Sequence, residues 1–321
     1  MHRVLLATSL TLAVAGATAA AQTGASTDIV ADVRAAIADE GLDQAEALLA
    51  RDRATRGDTP EAAAALSWLG RGALAAGQLD RARQYAIDAY DLGVRLLGSG
   101  ALDDEPHLQT AIGASIEVRA IVQAEQGARS DAVYFLQREL AKYADTGIHK
   151  RIQKNANLLS LEGQPAPPLV ALEVLDGPVP SFEELRGNVV LLFFWAHWCS
   201  DCKAQSPIVA RLLDKYGPQG FAVVAPTQRF GYIVDGEDAS PDDELRHIVS
   251  VRDTYYAFLR DRPVPVSDVN HKRYGVSSTP TLVLVDRQGL VRMYRPGRVP
   301  EVELDARIRD LLAEPVAAAR Q

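Results

Sequence analysis

Cys199 and Cys202 are the only two cysteines of the chain, and they stand as Trp198-Cys199-Ser200-Asp201-Cys202. Three chemistries are open to such a pair. A structural disulfide would close a very small loop and so restrict the unfolded chain little. A metal centre needs about four ligands, and only His197 lies alongside. A redox dithiol needs two sulfurs about one helical turn apart, which this spacing supplies. If a helix opens here, Cys199 lies at its first turn, where free N–H groups and the macrodipole favour a thiolate. Cys199 is then expected to attack and Cys202 to resolve the mixed disulfide. Trp198 would shield one side of the pair and offer a partner a flat surface, or be an ordinary half-buried aromatic. No cofactor beyond the Cys199–Cys202 disulfide is expected. No Ser/His/Asp arrangement, phosphate-binding Gly loop or paired-carboxylate motif stands out.

Such a pair needs a strand before it and a helix after it. Asn188 to Ala196 is an apolar run through Val189, Val190, Leu191, Leu192, Phe193 and Phe194, as a central strand buried on both faces requires. Cys199 to Tyr216 reads as the helix. Leu169 to Leu175 and Phe221 to Pro226 read as strands, Asp242 to Leu259 as a helix, and Val264 to Ser267 as a short strand. Thr281 to Val285 and Val291 to Tyr294 flank the hairpin turn Asp286-Arg287-Gln288-Gly289. Glu301 to Leu312 closes the pattern as a helix. This order predicts an α/β fold, a mixed central sheet with helices on both faces.

Thr27 to Leu161 is different: alanine-rich, with apolar residues at helical spacing, as in Ile29, Val33, Ala36 and Ile37. A weak repeat runs through Gly41-Leu42-Asp43-Gln44-Ala45, Gly77-Gln78-Leu79-Asp80-Arg81-Ala82 and Gly127-Ala128-Arg129-Ser130-Asp131-Ala132. In each copy one helix is expected to end at the Gly, and the Asp to accept hydrogen bonds from the next helix's free N–H groups. Leu66 to Ala89 resembles a tetratricopeptide repeat, with Gly70, Gly77, Ala82 and Ala89 at its small-residue positions. An all-α domain of TPR-like helical hairpins is therefore expected over residues 22–162, either as a concave partner surface or as a structural extension. Three prolines within Pro165-Ala166-Pro167-Pro168 forbid helix and favour an extended linker. They place a boundary at Gly163, leaving 163–315 as the sheet-containing domain and 316–321 as a tail.

Met1-His2-Arg3, the apolar run Val4 to Ala15 and the small residues Ala17-Thr18-Ala19-Ala20-Ala21 have the layout of a secretory signal peptide, residues 1–21. The run is shorter than the roughly 20 residues a membrane span needs, and no later stretch is long and apolar enough. The expectation is an exported or periplasmic protein with no membrane span after cleavage. Hydrophobic residues make up 47% of the 321 and charged ones 24%, which suits a globular chain. A net charge of −8 argues against a nucleic-acid partner.

Phe193-Phe194-Trp195-Ala196-His197-Trp198-Cys199-Ser200-Asp201-Cys202-Lys203-Ala204-Gln205-Ser206-Pro207 resembles the active-site segment of the TlpA/ResA-like thioredoxin family. Gly163-Gln164-Pro165-Ala166-Pro167, Phe182 to Asn188, Gly275-Val276-Ser277-Ser278-Thr279-Pro280-Thr281 and Asp286 to Gly289 resemble further segments of it. The resemblance spans about Gly163 to Leu312. It implies a thioredoxin-like fold in which Pro207 kinks the active-site helix. It also implies a cis bond at Thr279–Pro280 facing the dithiol, where the Thr279 backbone pairs with an extended substrate segment. The implied activity is thiol–disulfide exchange that reduces a substrate protein's disulfide with electrons from an upstream thiol donor, cytochrome c maturation being a typical setting.

Three departures qualify that expectation. Gln205 stands where reducing members often place a glutamate, and Phe193 where thioredoxin places an aspartate, so both familiar proton-handling acids are missing. Asp201 stands where proline is common. Its carboxylate would oppose a Cys199 thiolate and lean the pair towards electron donation, unless Lys203 neutralises it or Asp201 is merely a solvated helix-start residue. Pro226 to Tyr232 and Asp235 to Pro241 lengthen a loop, and Arg229, Phe230 and Tyr232 could form a lip at the site or be surface elaboration. Glu237-Asp238 and Asp242-Asp243-Glu244 read as a solvated helix start behind Ser240-Pro241, and His197 as an edge residue. The helical region is the third departure. The rival readings are a thiol oxidase, a peroxide-linked thiol enzyme, or a binding protein acting through its helices.

Overall fold

The computed structural model describes residues 28–171, 173–260 and 262–315. The expected signal peptide, residues 1–21, and the tail, residues 316–321, lie outside the described residues.

Helices dominate the first half: α1 (Ile29–Asp39), α2 (Leu42–Arg56), α3 (Pro60–Ala75), α4 (Leu79–Leu97), α5 (Pro106–Glu125), α6 (Arg129–Lys142) and α7 (His149–Ser160). Gly41, Gly77 and Gly127 carry φ of +97°, +70° and +88° at the helix ends, as the repeat predicts. The repeat aspartates do not cap. The N-cap residues of α2, α4 and α6 are Gly41, Gln78 and Ala128, without side-chain cap bonds, and Asp43, Asp80 and Asp131 lie inside the first turn. There a carboxylate acts only through the helix dipole. Capping appears where an acceptor directly precedes the helix, as at Thr59 before Pro60. Alanine lets the helices approach closely: Ala62, Ala63, Ala65, Ala82 and Ala89 are all fully buried in one core with Leu69, Leu108 and Ile112.

The second half holds a four-stranded sheet in the order β3 (Phe221–Val224), β2 (Val189–Phe194), β5 (Thr281–Val285), β6 (Val291–Pro296). β2 runs parallel to β3 and antiparallel to β5, and β5 antiparallel to β6. The alternation of β2 sorts its side chains onto two faces. Val189, Leu191 and Phe193 join one core with α8 (Ser200–Tyr216), α9 (Pro241–Tyr255) and α11 (Glu301–Ala313). Val190, Leu192 and Phe194 join another with Tyr274, Val276 and Leu161. Leu161 directly follows α7, so the helical half helps to cover the second face.

Two expectations change here. The strand expected over Leu169 to Leu175 is confined to β1 (Glu173–Leu175), which pairs with β4 (Val264–Val266) in a separate small sheet. At Val170 the backbone N–H and C=O instead bond the side-chain amide of Asn270, at 2.8 and 2.7 Å. That amide lies in α10 (Asp268–Arg273), a helix without a readable apolar stripe. The proline-rich linker is extended but attached: Gly163 and Ala166 donate to Val291 and Gly289, and Val291 donates back to Gln164.

Gly275 marks the seam between the halves. It ends α10 at φ +61°, its N–H bonding Lys272 and that of Val276 bonding His271, a Schellman arrangement. A Cβ at this position would lie 2.3 Å from the backbone N of Lys154 in α7.

Candidate active site

β2 delivers the chain to one end of the sheet, where Trp195 is fixed before the cysteines are reached. Its indole N–H donates to the Ala225 carbonyl at 3.0 Å, and its own carbonyl accepts from the Thr227 hydroxyl at 2.8 Å. Cys199 is the N-cap of α8, and its Sγ accepts the Cys202 N–H at 3.0 Å. The two sulfurs form a disulfide with Cα atoms 5.3 Å apart. Cys202 is fully buried and Cys199 nearly so, whereas Trp198 beside them is 47% exposed. On reduction the same N–H and helix terminus face a thiol at Cys199, which favours its thiolate by about 1 kcal/mol. The pair fits a redox-active site.

Thr279–Pro280 is cis. Phe194, the last residue of β2, pairs with Thr281, the first of β5. The proline loop and the cysteine turn therefore leave the sheet at the same end. Pro207 lies within α8, where it has no N–H to give to Lys203.

Gln205 is fully buried, and its amide is used twice: it donates to the Val299 carbonyl at 3.1 Å and accepts from the Val299 N–H at 3.0 Å. This residue ties α8 to the segment before α11. Phe193 packs in the core against the Tyr256 ring, with centroids 6.0 Å apart. Asp201 is exposed and forms no ion pair among the described residues. The Lys203 ammonium lies 4.6 Å from the centroid of the Tyr255 ring instead.

The inserted loop comes back over the site, but with one residue turned away. Phe230 packs edge-on to Trp198 at 5.5 Å and to His197 at 5.5 Å, and Tyr232 lies 5.7 Å from His197. Arg229 does not join them; it pairs with Glu173 of β1 at 2.8 Å. Ser240 caps α9 with Pro241 in its first turn, as expected. Glu244, however, is not solvated. It is 1% exposed, and its carboxylate accepts the backbone N–H of Phe230 and, at 3.0 Å, that of Gly231.

His197 is likewise buried rather than at an edge. Its Nε2 lies 3.4 Å from Glu244, and His247 stacks edge-on at 5.1 Å. Burial, then the neighbouring charge of His247, hold the His197 imidazole below its ordinary value, against the pull of Glu244. A readable sign of this group lay in the spacing Glu244, Ile248, Val251, which puts the carboxylate on the buried stripe of α9. Replacing Glu244 by Gln leaves one of its two N–H partners facing an amide donor. A loss of about 2 kcal/mol in urea unfolding is expected, with altered Trp198 fluorescence as Phe230 loosens. A loss below about 0.5 kcal/mol would mean that the carboxylate does not hold the loop.

A family model described as thioredoxin-like matches residues 187–291. The thioredoxin-like protein YneN of Bacillus subtilis (strain 168) is 28% identical over 148 residues, covering 46% of this chain and 78% of that protein. The thiol-disulfide oxidoreductase ResA of Bacillus thuringiensis subsp. konkukian (strain 97-27) is 25% identical over 149 residues, covering 46% and 78%. The crystal structure of a thiol:disulfide interchange protein, a thioredoxin family protein from Chlorobium tepidum TLS, aligns with a TM-score of 0.38 at 19% identity. It covers 47% of this chain and 97% of that one. The half of the chain that carries the cysteine pair thus holds a thioredoxin-like domain, similar in sequence to thiol-disulfide oxidoreductases and with a Cys199–Cys202 pair that fits a redox-active site.

Proposed function

We propose that the protein is exported and reduces disulfides of a partner protein through Cys199 and Cys202, without a further cofactor. The Cys199 thiolate attacks one sulfur of the partner's disulfide, and the departing partner sulfur takes a proton. Cys202, deprotonated, then attacks Cys199, releasing the second partner thiol and leaving the Cys199–Cys202 disulfide. Two electrons pass to the partner, and an upstream thiol donor restores the dithiol.

The observation that carries the reductive direction is the first turn of α8. Its one charged group ahead of Cys202 is Asp201, exposed and without an ion pair among the described residues, while Lys203 is engaged with Tyr255. A carboxylate there, held in no ion pair, works against negative charge on Cys199, with the Lys203 charge drawn towards the Tyr255 ring as the opposing influence. A less stabilised thiolate gives its electrons more readily. Gln205, with both ends of its amide committed to Val299, supplies no proton of its own. Equilibration of the purified protein with glutathione redox buffers tests the direction. A potential near about −270 mV is expected, and one near about −120 mV would make the protein an oxidant instead.

A further inference from the structure

α1, α3, α5 and α7 pack successively against one another as one layer of the helical half. On this layer a single carboxylate is surrounded by cations. Glu117 of α5 lies 3.0 Å from Arg151 and 3.3 Å from Lys154 of α7, and 3.9 Å from Arg71 of α3. Trp68 of α3 is flanked by two guanidiniums, with Arg34 of α1 at 4.5 Å and Arg71 at 4.6 Å from its ring centroid. Arg34 has no ion pair among the described residues, and the other three cations pair only with Glu117. Four positive charges thus meet one negative charge, a local surplus of three in a chain whose net charge is −8. Arg71, Arg151, Lys154 and Glu117 each keep between 17% and 23% of their side-chain surface, so the cluster is recessed but open.

Such a surplus is costly to hold half out of water and gains when an anion arrives. Burial and the charge of Arg34 already push the Arg71 guanidinium down from its ordinary value. Guanidinium forks suit planar carboxylates, and a recess beside an indole suits a peptide chain better than a flat lipid surface. The position matters as much as the charge. Arg151 and Lys154 stand on the helix whose backbone meets Gly275, five residues before the cis proline, and Lys150 on that helix donates to Gln228 of the inserted loop at 3.0 Å. We propose that this cluster docks an acidic, Asp/Glu-bearing segment of the protein whose disulfide is exchanged. The proposal rests on the reading above that the partner is a protein.

The test uses the full chain and a fluorescein-labelled Glu-Gly repeat peptide, with a Gln-Gly peptide as control, followed by anisotropy at low and moderate salt. Binding of the Glu-Gly peptide that weakens with salt is expected. Combining Arg34→Gln with Lys154→Gln should weaken it roughly threefold for each lost charge. Glu117→Gln, which removes the internal competitor, should tighten it by a similar factor, a change that a merely misfolded variant would not produce. Exchange with a small disulfide should be the same in the wild type and in the Arg34/Lys154 variant. Equal binding of the Gln-Gly peptide, no effect of these substitutions, or preference for phosphatidylglycerol vesicles over the peptide would overturn the proposal. Absent peptide binding with intact disulfide exchange removes the docking surface alone. Peptide binding with inert thiols supports docking and removes the reductase reading.

Discussion

Cys199→Ser is expected to lower disulfide exchange by about a thousandfold or more, to the uncatalysed level, whereas Cys202→Ser is expected to trap the protein on its partner. The two sulfurs are chemically alike, so the asymmetry must come from position. Cys199 caps α8, with the Cys202 N–H pointing at its sulfur, and lies next to the half-exposed Trp198. Cys202 is one turn further in and has no accessible surface. Cys199, 3% exposed against 0% for Cys202, is therefore the sulfur that a partner disulfide is expected to reach first. With Cys202 replaced, attack still occurs, but the second step is lost and the mixed disulfide persists. Non-reducing gels of the Cys202→Ser protein with an oxidised substrate should show an adduct that dithiothreitol removes. An adduct on Cys202 in the Cys199→Ser protein, at comparable yield, would reverse the assignment of roles.

The core of this site was legible because each part has a local sequence cause. A six-residue apolar run needs cover on both faces, Ser200 to Tyr216 has helical spacing, and Thr279-Pro280 directly precedes another apolar strand. What escaped depends on residues distant in sequence. Asn270 replaces a neighbouring strand for Val170 across 100 positions, and no periodicity at either site announces it. Arg229 and Phe230 are adjacent, yet one is drawn to Glu173 and the other to Trp198. Glu244 sits in a run of acids that reads as solvated. Only its register with Ile248 and Val251 separates it from Asp242 and Asp243.

The helical half divides in the same way. Glycines that stop helices were readable because a left-handed end is a local demand. The first-turn aspartates were not, because a cap depends on which residue is the last outside the helix, a shift of one or two positions. The cationic cluster was invisible to the sequence altogether, since Arg34, Arg71, Glu117 and Arg151 come from four different helices. Packing the odd-numbered helices into one layer brings them together.

Gly275→Ala should be among the most destabilising single changes in the chain, because two independent costs fall on one methyl group. The residue has φ +61°, where an L side chain costs about 1–2 kcal/mol. The added Cβ would also stand 2.3 Å from the Lys154 nitrogen and 2.6 Å from the Gln153 carbonyl carbon. Both are backbone atoms inside α7, so no rotamer change can relieve the contact. Either α7 retreats, opening the packing of Leu161 on the sheet, or the end of α10 unwinds. Overpacking of this kind costs a further 1–3 kcal/mol or so, for a total of about 2–5 kcal/mol in urea unfolding. Gly289→Ala isolates the first cost, since Gly289 has φ +86° but nothing within 4 Å of a built Cβ. The difference between the two variants measures how rigidly α7 is held against the thioredoxin-like half. Equal losses would show that the seam yields freely. A larger loss at Gly275 would show that the backbone of α7 and the end of α10 are held too firmly against each other to absorb one methyl group.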